Sequence, residues 1–114
     1  MKALILYRLG RNLAGMARYM AMHSHGYEGC PARSPDTLRQ FNQLISDENA
    51  RCFGVTIIDR YVDDDCTTAG KSEHYAYFLV EAHDQGKVQD LFKPIGVKLR
   101  PVVAWKDVQK AMNL

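Results

Sequence analysis

The stretch "HYAYFLVEA", residues 74 to 82, limits the possible folds more than any other. Read as a strand, it puts Tyr75, Tyr77 and Leu79 on one side and Ala76, Phe78 and Val80 on the other. A strand with apolar residues on both faces belongs at the centre of a sheet that is covered twice. Its neighbours must come from the same 114 residues, which is the length of one domain. A chain of that size can bury a core without disulfides or a structural metal.

Three more strands are expected. "ARYMAMHSH", residues 17 to 25, places Tyr19, Ala21, His23 and His25 on one side and Met20, Met22 and Ser24 on the other. "VTIIDRYV", residues 55 to 62, is β-branched. "VKLRPVVAW", residues 97 to 105, holds Pro101, which assigns it to an edge or a bulge.

Two helices alternate with these strands. The first is expected over "SPDTLRQFNQLISDENARCFG", residues 34 to 54. Ser34 can cap it, Pro35 suits its first turn and Asp36 suits the positive end of its dipole. Leu38, Phe41, Leu44, Ile45 and Cys52 form its apolar stripe, and Gly54 stops it. The second, "QGKVQDLFK", starts at the cap Asp84, turns Val88, Leu91 and Phe92 inward, and ends at Pro94 and Gly96. "KDVQKAMNL" adds a C-terminal helical turn.

The order β-α-β-β-α-β is that of a ferredoxin-like α+β sandwich, an antiparallel sheet with helices on one face. Right-handed crossovers put the first strand between the third and the fourth, antiparallel to both. The uncovered face is apolar and carries tyrosines, so a homodimer is expected to bury it. Residues 17 to 114 form this domain. Residues 1 to 16 precede it as an extension, a helix or strand that docks on the domain or a partner. The run "ALILY" stops at Arg8, too short for a secretory h-region. Nothing approaches the length of a membrane-spanning segment.

Composition removes some function classes. With 15 basic and 13 acidic residues, the net charge of +2 is too balanced for a nucleic-acid-binding domain. Three cysteines at irregular spacings, Cys30, Cys52 and Cys66, do not make a secreted disulfide scaffold, so a reducing cytoplasm is expected. No nucleophile elbow, phosphate loop or dinucleotide fingerprint is present.

Several short motifs follow one another along the chain: "HSHGYEGCP" (His23, His25, Glu28, Cys30, Pro31), Gly54 with Val55, Glu73 with His74, "VEA" at 80 to 82, and "VKLRPVV". In these the chain, over roughly residues 17 to 106, resembles a group of small bacterial and archaeal ferredoxin-like proteins of the dimeric α+β-barrel type. The loop "VDDDCTTAGKSEH" departs from that pattern in being longer and more acidic. The resemblance implies the fold and the dimer. It implies no chemistry, because function does not follow from fold.

The chemistry must therefore be sought in residues. With the first and third strands antiparallel, His23 and His25 lie beside Glu73 and His74. The loops carrying Glu28 and Cys30, and Asp63, Asp64 and Asp65, open at the same end. His23, His25, Cys30 and His74 are the candidate ligands, with Glu28, Asp63, Asp64, Asp65 and Glu73 as secondary candidates. Imidazoles and a thiolate suit zinc, copper or nickel, although no CxxC or HExxH spacing is present.

The competing reading is neutral histidines hydrogen-bonded at a strand end. Cys30 is either a packed small residue or a thiolate favoured near a helix N-terminus. Cys52 is assigned to the core, Cys66 to an exposed loop, and His83 to the opposite end. Lys98 and Arg100 make a solvated edge or meet an anion. Three functions fit this inventory. The first is a module binding a transition metal or a small ligand. The second is a cofactor-poor monooxygenase- or isomerase-like enzyme with a histidine general base. The third is an interaction module without chemistry.

Overall fold

A computed structural model describes residue 11 and residues 15–26, 30, 34–63 and 73–114. The elements run β1 (Ala17–Gly26), α1 (Pro35–Leu44), α2 (Asp47–Cys52), β2 (Thr56–Val62), β3 (Glu73–Ala82), α3 (Gln85–Phe92), β4 (Lys98–Val102) and α4 (Trp105–Met112). The four strands form one sheet in the order β2-β3-β1-β4, and every neighbouring pair is antiparallel. This α+β architecture of four strands and four helices is compatible with a ferredoxin-like fold.

Strand alternation decides which residues meet the helices. Ala17, Tyr19 and Ala21 of β1 and Ala76, Phe78, Val80 and Ala82 of β3 all face one side and are buried. Ile45, Ala50, Val88, Leu91 and Phe92 cover them from the helices. At the centre, Phe78 stands between Phe92 at 5.0 Å and Phe41 at 6.1 Å between ring centroids. The rings are tilted against one another, and aromatic contacts at such centroid distances add to the area that they bury.

The helix starts follow their capping residues. The Ser34 hydroxyl accepts from the Thr37 N–H, with Pro35 in the first turn. Asp84 accepts from the Lys87 N–H in the same way. The expected long helix is instead two. Ser46 takes a second cap position, accepting from the Asn49 N–H at 3.1 Å, while the Asn49 side chain donates to the Leu44 carbonyl at 2.7 Å. Side-chain hydrogen bonds compete here with the helical ladder. The break resets the helical phase, so Cys52, expected in the core, lies exposed. Leu38, in the first turn of α1, is also exposed. Gly54 ends the segment at φ 73°, in the left-handed region that favours glycine.

β4 carries Pro101 and lies at the edge of the sheet, as a strand proline requires. It is shorter than expected because Trp105 opens α4, which is longer than the expected turn. β3 is central, and Ile45, Ala50, Val88, Leu91 and Phe92 pack against one of its faces. The other carries Tyr75, Tyr77 and Leu79, beside Met20 and Met22 of β1 and Tyr61 of β2, all partly or largely exposed.

Of the N-terminal extension, the described residues are Arg11, Gly15 and Met16. Arg11 bridges to Ala17, and its guanidinium donates to the carbonyls of Gly15 at 2.8 Å and His83 at 2.9 Å. That contact lies at the end of the sheet opposite His25 and His74. The rest of the expected docking segment lies outside the described residues.

Candidate functional site

The His25–His74 pair follows from strand register. His25 lies directly opposite His74 where β1 pairs with β3. Cross-strand partners on one face bring their Cβ atoms to about 5 Å, and the two rings meet edge to face at 5.5 Å between centroids. His23, two residues before His25, projects to the same side and stacks on it at 5.3 Å. Three imidazoles therefore share one end of the helix-covered face.

Cys30 completes the group from the loop before α1. It is buried, and its sulfur and ring nitrogens of His25 and His74 lie within 4.8 Å of one another. Metal–ligand distances of about 2.0–2.3 Å at a tetrahedral ion set donors slightly closer together than this.

Burial is uneven across the cluster. His74 is fully buried, and neither of its ring nitrogens has a hydrogen-bond partner among the described residues. A buried imidazole without partners is costly, about 1–3 kcal/mol for each unsatisfied group. His23 is satisfied differently. Its Nδ1–H donates to the Gly96 carbonyl at 2.9 Å, which leaves the Nε2 lone pair on the neutral ring. Gly96 sits at φ 74°, so the turn that presents this carbonyl depends on glycine.

His25 titrates below the ordinary histidine range. Burial is the main cause, followed by the charges that His23 and His74 would carry, with Asp63 opposing. The shift favours the neutral imidazole over the charged one.

The secondary candidates separate. Asp63 Oδ1 accepts from the Tyr77 hydroxyl and Oδ2 from the Tyr75 N–H, both at 2.9 Å. Its carboxylate ties β2 to β3 and is not one of the clustered ligands. Glu73 belongs to β3 by its backbone; its side chain, with Glu28, Asp64, Asp65 and Cys66, lies outside the described residues. Lys98 and Arg100 stand opposite Met22 and Met20 on the edge strand, away from the cluster.

A cleft of about 520 Å³ adjoins the site. Phe41, Leu44, Pro94 and Ile95 supply apolar walls, and Thr37 and Gln40 add polar atoms. His23 and His25 both line it, with Phe41 at 6.4 Å from the His23 ring. Sequence reasoning missed this cleft. The one available signal was "KPIG", whose proline and glycine bring Ile95 and the Gly96 carbonyl beside β1. Comparisons with protein-family models, curated proteins and solved structures find no match to this chain. Among the described residues, no helix is long and apolar enough to cross a membrane.

Proposed function

We propose that the chain is a transition-metal-binding module with His25, Cys30 and His74 as ligands. The observation that carries this reading is His74, fully buried with both ring nitrogens unpartnered among the described residues. A metal bond would satisfy one nitrogen that no described residue satisfies. Two imidazoles and a thiolate favour zinc, with copper and nickel as competitors. Three protein ligands leave a coordination position open, as in catalytic or exchangeable sites rather than closed structural ones.

The finer fold reading belongs with this one: a ferredoxin-like domain of the dimeric α+β-barrel type, paired with a second copy through its open sheet face. Met20, Met22, Leu79, Tyr61, Tyr75 and Tyr77 support it, because a contiguous apolar patch marks an interface. Native mass spectrometry of the purified chain, with elemental analysis, tests metal and pairing together. The expected result is one zinc-class ion per chain, lost in His74→Ala, and a mass of two chains. Metal-free protein that takes up no zinc or cobalt overturns the metal reading, and a monomer at micromolar concentration overturns the pairing.

A second reading rests on a separate observation. His25 lines the cleft and its neutral form is favoured by burial and the neighbouring histidines, which suits a general base acting on a small substrate without metal. Activity or binding that persists after complete chelation would favour it over the metal.

A further inference from the structure

We infer that the cleft beside His25 receives a small monocarboxylic acid with an apolar tail, its carboxylate taking the open coordination position. The inference rests on the metal reading and goes beyond it by naming the ligand class.

Three observations carry it. The first is access. Of the three ligands, His74 is fully buried and Cys30 nearly so, while His25 is partly exposed and lines the cleft. A molecule approaching through the cleft therefore meets the metal at His25. The second is charge. A divalent ion with one thiolate and two neutral imidazoles carries a net single positive charge, and a charge held away from water calls for a counter-ion. An anionic fourth ligand supplies it, whereas an alcohol or amine does not.

The third is the chemistry of the walls. Phe41, Leu44, Pro94 and Ile95 match a hydrocarbon tail, and Thr37 and Gln40 are uncharged. No aspartate, glutamate, lysine or arginine lines the cleft among the described residues. Among the described lining residues none carries a fixed charge that would compete with the metal for a carboxylate. The volume falls within the range of small-molecule sites, about 300–1,000 Å³.

The test uses the full chain loaded with cobalt(II), whose visible bands report both the thiolate bond and any change at the fourth ligand. Hexanoate, acetate and hexan-1-ol are titrated in turn. Hexanoate is expected to shift the bands in a saturable way and to bind at least about tenfold more tightly than either of the others, a difference of about 1.4 kcal/mol. Acetate lacks the tail and hexanol lacks the charge.

Gln40→Glu, which puts a carboxylate on the cleft wall, is expected to weaken hexanoate severalfold. A cobalt spectrum that ignores hexanoate, or responds equally to all three probes, overturns the inference and leaves the metal site standing. The same holds if only water or hydroxide occupies the fourth position. Absence of any cobalt–thiolate spectrum overturns both.

Discussion

Two polar clusters lie on the helix-covered side of the sheet, and they are built on opposite rules. Around Arg60, charge is met by partners. The guanidinium Nε donates to the Ile45 carbonyl at 2.9 Å and Nη2 reaches the Asp47 carboxylate, so strand β2 is pinned to the α1–α2 junction. Around His74, two ring nitrogens are buried with no acceptor or donor supplied by the described residues. The first cluster uses its polar atoms to hold the fold. The second leaves buried polar atoms that no described residue satisfies, and such groups call for a physical reason.

The largest expected effect breaks the second cluster without harming the first. His74→Leu removes both nitrogens left without a partner among the described residues and keeps much of the volume. Zinc affinity, measured by competition with a chromophoric chelator, is expected to fall by more than about 100-fold, because even outer-shell changes cost 10–100-fold. The metal-free variant should melt no lower than the parent to within about 1 kcal/mol, since the unsatisfied polar groups go with the ring. A large loss of metal-free stability would instead mean that His74 is a structural residue. In the same experiment zinc at 100 times its dissociation constant should stabilise the parent by about 2.7 kcal/mol and leave the variant unmoved.

Arg60→Met gives the converse and a smaller effect. It removes the hydrogen bond to Ile45 and the exposed pair with Asp47, and about 1 kcal/mol of stability by denaturant unfolding. Zinc affinity should not change. If it does, the two clusters are coupled through α1 and the contrast fails.

How far the sequence revealed these clusters depended on the range of the interactions that build them. The caps Ser34 and Asp84 act over three residues and were readable directly. Strand alternation separated Ala76, Phe78 and Val80 from Tyr75, Tyr77 and Leu79, and antiparallel order put His23 and His25 beside Glu73 and His74; the register adds that His25 faces His74 directly. The helix break at Ser46 was not anticipated, because Leu44, Ile45 and Cys52 fit one continuous stripe. Only the competing Ser46 cap and Asn49 bond show that the phase restarts, and Cys52 moved outward with it.

The partnering of Asp63 was also hidden. Adjacent aspartates look alike in sequence, and only the β2–β3 pairing gives Asp63 to Tyr75 and Tyr77. The Gly96 carbonyl on His23 depends on a turn conformation that "KPIG" permits without specifying. Nothing in residue types alone separates an imidazole such as His23, bonded to a carbonyl, from one such as His74, which no described residue satisfies. Neither do they say what covers the open face.

The smallest effects come from acid, and they separate the clusters by where on the pH axis each weakens. His25 is the informative group in the first case. Burial and the neighbouring His23 and His74 lower its folded-state value below the ordinary 6.5, with Asp63 opposing. Between those two values the unfolded chain binds the extra proton and the folded chain does not, so unfolding is favoured as pH falls. In chelator-treated protein this contribution is complete above pH 6.5 and declines below it, and His25→Asn should flatten that part of the curve.

Asp47 behaves in the opposite range. Its hydrogen bond and charge interaction with Arg60 hold it below the ordinary 3.8, so its contribution is present above that value and lost only as pH falls through the folded-state value. The carboxylate is largely exposed, and Asp47→Asn should alter the melting curve only at the acid limb and only slightly. Melting profiles of the two variants between neutral and acid pH should therefore depart from the parent in separate windows, His25→Asn first. Departure in a single shared window would show that one coupled network, and not two clusters built on different rules, governs this side of the sheet.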